Sequence, residues 1–280
     1  MSFKAACIQT TATPDLRHDM SVLERMIREA ASQGASFVAT PEYCAGLDTK
    51  DGKMFPVAHV EEEHPALPVM QGLARELNIW LLIGSIGVKA PDGRIFNRSF
   101  MLSPSGAIAA RYDKIHLFDI DLGAGRSYRE SATIAPGASA VIAPCAEGMI
   151  GLSICYDIRF PHLYRSYAQA GAELIAAPAA FTRVTGEAHW HVLQRARAIE
   201  NGAYVIAPGQ CGTLAGGAEC YGHSLIVDPW GRVLADGGTE PGITTAEIDL
   251  ERVRETRRRI PSLTHDRAFA PACLAAREAS

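Results

Sequence analysis

Apolar residues along this chain follow two rhythms. In FKAACIQ (3–9), SFVATPEY (36–43), IWLLIGSIG (79–87), GMIGLSIC (148–155), ELIAAPAAF (173–181) and AYVIAPG (203–209) they run almost unbroken for the length of one strand. Such runs suit strands covered on both faces. Between them the apolar positions return every three or four residues. Residues 16–31 set Leu16, Met20, Leu23, Ile27 and Ala30 or Ala31 on one side of a predicted helix. The same spacing predicts helices over 67–78, 161–170 and 187–201. The turn at Pro91, Asp92 and Gly93 leads into RIFNRSFMLSP (94–104), and Asp228 to Gly231 punctuate YGHSLIVDPWGRVLA (221–235). Both read as strand, turn, strand units. Strands alternate with helices and no linker divides the chain, which predicts a single α/β domain over 1–280.

Two segments break the rhythm. From Cys44 to about Pro65 there are glycines, lysines and three consecutive glutamates with little periodicity. That segment is predicted to be a long loop over a pocket, with a plain solvated connection as the alternative. After Pro261 a tail rich in Pro and Ala is expected to be extended, either disordered or laid against a neighbour.

Charge and cysteine content narrow the setting. The 280 residues carry 27 basic and 31 acidic side chains, a net charge of −4, so no broad field exists to hold nucleic acid or an anionic membrane. The short run RETRRR (254–259) lacks the aromatics a nucleic-acid surface would need. No apolar stretch approaches the roughly 18 residues of a membrane span, and MSFKAACIQT reads as a first strand, not a secretory signal. Seven cysteines (7, 44, 145, 155, 211, 220 and 273) show no CxxC spacing. An odd count without a ladder favours reduced thiols and a cytoplasmic setting.

Three reactive side chains stand where strands give out: Glu42 after FVATP, Lys114 in RYDKIHLFD and Cys155 after GMIGLSI. Open sheets place their chemistry at strand ends. Each also has a plain reading, as a turn cap, a solvated lysine and a small buried hydrophobe. Together they form a coherent set. A carboxylate can take the proton of a thiol and later give one to a leaving amine, while an ammonium steadies the oxyanion. Such a trio transfers an acyl group without metal or cofactor. His116, two positions after Lys114, reads as a supporting residue in preference to a catalytic base, since the trio already contains one. His189, Trp190 and His191 have no acidic or cysteine partner at ligand spacing, so no metal is expected there. Asp157 and Arg159 either brace the exit from the strand as an ion pair or meet substrate, and Arg183, read as a loop residue, has a weaker claim. There is no GxGxxG after the first strand, no GxxxxGK[ST] and no GxSxG, which removes nucleotide-binding and serine-hydrolase readings.

PEYC (41–44), YDKIHLFD (112–119) and GLSICYDIRFP (151–161), followed by HWHVLQRARAIEN and YGHSLIVDPWG, resemble the nitrilase superfamily of carbon-nitrogen hydrolases from residue 4 to about 260. The resemblance implies a four-layer α-β-β-α sandwich and a catalytic set of Glu42, Lys114 and Cys155. It further implies a glutamate at Glu130 in YRESATIAPG that orients the lysine or the substrate amide, an oxyanion contact from the Tyr156 N–H, and a homodimer or larger homo-oligomer. Within the superfamily, CYDIRFP, FTRVTGEAHW, RARAIE and the pair Gln210, Cys211 are similar to the deaminated glutathione amidases. That branch implies a small 2-oxo acid amide as substrate, cleaved to 2-oxoglutarate and cysteinylglycine. The related ω-amidases, acting on 2-oxoglutaramate, are the alternative; a non-catalytic scaffold is a distant third. Arg159, Arg183, Lys50 and Lys53 are the candidate anchors for substrate carboxylates.

Overall fold

The computed structural model describes residues 2–50, 53–121, 123 and 127–272. Its helices are α1 (Leu16–Ser32), α2 (Ala66–Leu77), α3 (Pro161–Gln169), α4 (Arg183–Asn201) and α5 (Leu250–Arg259). One sheet has eight strands. Its main path runs Ile134–Ala135, Ile95–Leu102, Trp80–Lys89, Ala35–Ala39, Ser2–Gln9 and Gly242–Asp249; Ala58–His59 and Ile108–Asp113 pair off that path. The other has six strands, in the order Ile142–Cys145, Gly148–Leu152, Leu174–Ala176, Tyr204–Ala207, Leu225–Val227 and Val233–Asp236.

Strand periodicity explains the layering. Successive side chains on a strand point to opposite faces. Ala5, Cys7, Phe37, Ala39 and Leu82 of the larger sheet pack into one core with Ile150, Leu152, Leu174 and Val205 of the smaller. Their neighbours Ala6, Ile8, Val38, Leu81 and Ile83 face the other way, into a core with Leu23 and Ile27 of α1 and Met70 and Leu73 of α2. On the far side, Tyr164 and Tyr167 of α3 and Trp190 and Ala198 of α4 cover the smaller sheet. The order is therefore helix, sheet, sheet, helix, the expected four-layer sandwich. Both faces of each sheet are covered, so its strands read as unbroken apolar runs. Among the described residues no helix is long and apolar enough to cross a membrane.

Several predicted boundaries shift for physical reasons. The runs 36–43, 148–155 and 173–181 are longer than their strands, which end at Ala39, Leu152 and Ala176. The surplus apolar residues, including Ala177, Ala179 and Ala180, stay buried beyond the strands; Ala179 makes an isolated parallel bridge to Gly209 and Ala180 lines the cavity described below. The predicted loop 44–65 contains a hairpin, Leu47–Lys50 against Lys53–Pro56; residues 51 and 52 lie outside the described ones. Leu47 and Thr49 are buried while Asp48 and Lys50 are exposed, an alternation too short to stand out. The glutamate run forms one 3-10 turn, in which Glu61 accepts hydrogen bonds from Arg98 at 2.6 Å and Arg111 at 2.7 Å. Helix α4 begins at Arg183, four residues earlier than predicted.

The strand Gly242–Asp249 escaped prediction altogether. It pairs antiparallel with Ser2–Gln9 over eight residues, yet it lies at a sheet edge and buries only Thr244 and Ile248. The tail does not run free throughout: Arg165 and Gln169 of α3 bind Asp266, and Gln169 also donates to the Leu263 carbonyl at 3.3 Å. The tail beyond 272, with Cys273, lies outside the described residues.

Candidate active site

Glu42, Lys114, Glu130 and Cys155 line one cavity of about 490 Å³, within the roughly 300–1,000 Å³ of small-molecule pockets. They arrive from separate elements, each held by an identifiable contact.

Glu42 sits in the turn after Ala35–Ala39, and the neighbouring strand Trp80–Lys89 grips that turn. The strand's register slips between Ile83 and Ile86, a bulge of the kind that re-aims nearby chain. At the bulge the Gly84 N–H donates to Thr40 Oγ1 at 3.0 Å, Ser85 Oγ accepts the Tyr43 N–H at 2.9 Å, and the Ser85 N–H donates to the Pro41 carbonyl at 3.2 Å. Glycine is required at 84 by close approach: a Cβ there would stand 2.0 Å from the Thr40 carbonyl oxygen. From the other sheet, Gln210 Nε2 donates to the Glu42 carbonyl at 3.0 Å and the Tyr43 carbonyl at 3.2 Å.

Lys114 follows the strand Ile108–Asp113. Its Nζ lies 2.9 Å from Glu42 Oε1 and 2.9 Å from Glu130 Oε1. Other donors complete the two carboxylates. Glu42 takes Asn97 Nδ2 at 2.8 Å and the Ala180 N–H at 2.7 Å; Glu130 takes the Phe118 N–H at 2.6 Å and the Tyr43 hydroxyl at 3.3 Å.

Cys155 opens a single 3-10 turn with φ +49°, a left-handed conformation uncommon outside glycine. Its N–H donates to the Pro178 carbonyl at 2.9 Å. Asp157, in the same turn, ties it to the lysine segment. One carboxylate oxygen accepts the His116 N–H at 2.9 Å and lies 2.7 Å from His116 Nδ1; the other accepts the Tyr112 hydroxyl at 2.7 Å and the Ile154 N–H at 2.9 Å. His116 thus contacts Asp157 through both its backbone N–H and its ring. Asp157 serves as a staple, not as the ion-pair partner of Arg159.

The electrostatics follow from burial and charge. Burial alone would lower the Lys114 ammonium, but Glu130, Glu42 and Cys155 outweigh it and hold its pKa well above the ordinary value. Burial, followed by the Glu42 charge, pushes the Cys155 thiol up, against the pull of Lys114. One ammonium beside two carboxylates leaves an excess of one negative charge, which disfavours a resting thiolate. The thiol therefore keeps its proton, close enough to Glu42 for that carboxylate's charge to act on it.

The residues expected to anchor substrate carboxylates differ in where they stand relative to the cavity. Lys53 lines the cavity, as does Arg129, which the sequence had not singled out; Tyr156 and the aromatic Phe118 and Tyr128 also contribute to its wall. Arg159 and Lys50 are not among the lining residues. The Arg159 guanidinium lies 5.7 Å from the Tyr156 ring and 5.4 Å from that of Phe181, both of which line the cavity, and 3.3 Å from His189 Nδ1. Arg183 is not a loop residue but the first residue of α4, paired with Glu187 at 3.1 Å and Glu219 at 3.4 Å. The hairpin residues Lys53, Met54 and Phe55 line the cavity, in agreement with the pocket reading of 44–65. Sequence reasoning also missed Asn97, whose neighbours look like ordinary strand.

The chain belongs to the carbon-nitrogen hydrolase family, whose sequence profile matches residues 4–258, and it is accordingly a hydrolase of carbon–nitrogen bonds. It is 39% identical to the deaminated glutathione amidase of Synechocystis sp. over 267 residues, 94% of this chain and 97% of that protein. It is 37% identical to omega-amidase NIT2 of Homo sapiens, across 95% of this chain and 96% of that one. Among solved structures, Saccharomyces cerevisiae Nit3, a member of branch 10 of the nitrilase superfamily, matches with a TM-score of 0.85 at 31% identity, covering 96% of this chain and 97% of that one.

Two substitutions test how the site is held. Gly84→Ala should displace the Glu42 turn and cost about 1–3 kcal/mol of stability. Asp157→Asn should leave a buried N–H unpaired, at a cost of about 1–3 kcal/mol. Both are expected to lower kcat more than they raise KM. Urea unfolding and steady-state kinetics check this, and unchanged stability with unchanged kcat would show that neither contact positions the site.

Proposed function

We propose that Cys155 is the nucleophile of an amidase and that Glu42, Lys114 and Glu130 serve it. The observation carrying this reading is the convergence of the Cys155 thiol, the Glu42 carboxylate and the doubly paired Lys114 ammonium in one cavity. Cys155 Sγ attacks the amide carbon as its proton passes to Glu42. Lys114 Nζ and the Tyr156 N–H hold the oxyanion. The tetrahedral species collapses as Glu42 returns the proton to the amide nitrogen; the C–N bond breaks and the amine leaves a thioester. Water then attacks, giving a proton to Glu42, and collapse expels the sulfur, which recovers its proton. Glu130 holds Lys114 in place throughout and needs no proton of its own. The cycle uses neither metal nor cofactor.

The substrate we propose is deaminated glutathione, cleaved to 2-oxoglutarate and cysteinylglycine, as the name of the Synechocystis relative suggests. It carries a carboxylate at each end, and Arg129 and Lys53 are the cavity's cationic candidates to receive them. An arginine can bind a carboxylate through two parallel hydrogen bonds and so orient the amide. The human relative named omega-amidase keeps 2-oxoglutaramate as a second reading.

The chain is further read as one catalytic domain that assembles with itself. Val184, Val192 and Ile199 are 50%, 67% and 52% exposed on α4. Their spacing of about two turns puts them on one face, and an apolar face of this kind suits a second copy. Six free cysteines are buried among the described residues, which supports a reducing, cytoplasmic setting; subcellular fractionation tests that placement. Sedimentation at micromolar concentration should show a dimer or larger, and a monomer alone would overturn the assembly.

Substrate choice is tested by kcat/KM for deaminated glutathione and 2-oxoglutaramate on one preparation. A preference of about tenfold for the first, roughly 1.4 kcal/mol of transition-state binding, is expected, and Arg129→Ala should erode it. The reverse preference would replace the substrate with 2-oxoglutaramate and leave the mechanism standing.

A further inference from the structure

The sequence offered the histidines near 190 no acidic partner, but the fold supplies one from a distant segment. His191 Nε2 on α4 lies 3.0 Å from Asp236 Oδ2, and His223 Nδ1 lies 2.9 Å from Asp236 Oδ1 and 3.2 Å from Oδ2. One ligand atom from each of the three residues falls within 4.8 Å of the others. In the single chain each of the three side chains is partly open to solvent. None of the three lines the amide cavity.

The cluster is built, not incidental. Asp236 ends the strand Val233–Asp236, and its Oδ1 also accepts the Gly238 N–H at 2.9 Å. His223 is held at φ +52°, a strained conformation for a side chain of its size. Two contacts hold it there: its N–H donates to the Gly238 carbonyl at 2.6 Å and its carbonyl accepts Trp190 Nε1 at 2.7 Å. Its ring stacks on Tyr221 with centroids 4.4 Å apart. These contacts fix the direction of the imidazole, as partners around metal ligands do.

We propose that His191, His223 and Asp236 form a binding site for a borderline divalent transition ion of the Zn²⁺ class, separate from the amide cavity. Two imidazole nitrogens and one carboxylate oxygen are a recurrent three-ligand set for Zn²⁺, with water in the remaining position. Tetrahedral coordination at ordinary bond lengths separates the ligand atoms by roughly 3.3–3.5 Å. The nitrogen to oxygen separations of 2.9–3.2 Å need to open by a few tenths of an ångström, and the two imidazole nitrogens lie within 4.8 Å of each other. On coordination each neutral ring uses the nitrogen that faced Asp236 as a lone-pair donor, and its proton resides on the opposite nitrogen. No electron transfer is involved. The ion would tie α4 to the strand Val233–Asp236, and the same helix brings Thr185 to the cavity wall. Its role is that of a clamp, independent of the amide reaction.

The test is calorimetric titration of ZnCl₂ into the full chain after chelator treatment, with Co²⁺ as the spectroscopic probe. One ion per chain at micromolar affinity is expected, and His191→Ala and Asp236→Asn should each weaken it by about tenfold or more. The Co²⁺ spectrum should lack a thiolate charge-transfer band, and both variants should keep the wild-type circular dichroism and amidase turnover. Absence of binding to the wild type, unchanged affinity in both variants, or a thiolate band that persists in His191→Ala would overturn the proposal.

Discussion

A single buried ammonium organises this molecule's chemistry. Lys114 is 1% exposed, and an unpaired charge at such a depth would lose several kcal/mol of hydration. It stays charged because two carboxylates, Glu42 and Glu130, each reach it at 2.9 Å. Removing either partner leaves a buried charge uncompensated, typically a loss of about 3–5 kcal/mol. The arrangement also sets the state of the thiol. Burial and the Glu42 charge push Cys155 up against the pull of Lys114, so the thiol rests protonated.

That cluster exists only where the two sheets meet. Glu42, Asn97 and Lys114 belong to the larger sheet and its connections, whereas Cys155 and the Ala180 N–H come from the smaller. The bond from Ala180 to Glu42 Oε2 at 2.7 Å and those from Gln210 to the backbone of residues 42 and 43 cross between them. Farther out, Gln9 accepts the Ser224 N–H at 2.7 Å and donates to the Gly238 carbonyl at 2.9 Å. A shift of one sheet against the other would separate Glu42 from Cys155. The apolar inner layer between the sheets, mostly residues without exposure, resists such a shift because close-packed interiors deform little.

The sequence made some of this legible and concealed the rest. The unbroken apolar runs revealed the central strands, since both faces of each sheet are covered. The motifs around 42, 114 and 155 placed three reactive groups, and the family resemblance added Glu130. Gly242–Asp249 stayed hidden because an edge strand buries too few side chains to leave a pattern. Asn97 was invisible because its value lies in a contact with a residue 55 positions away. Arg129 sits among polar neighbours that look like surface, whereas Arg159, conspicuous beside Cys155, lies over the rings of Tyr156 and Phe181 and is not among the cavity's lining residues. Asp236 illustrates the same limit, because no local spacing connects it to His191 or His223.

The central claim is that an acyl group passes through the sulfur of Cys155. Intact-protein mass spectrometry after rapid acid quench of the enzyme turning over deaminated glutathione tests it directly. A transient increase equal to the 2-oxoglutaryl acyl group, mapping to the peptide that holds Cys155 and missing from Cys155→Ala, is predicted. Sustained turnover by Cys155→Ala, or an adduct on any other residue, would contradict the account.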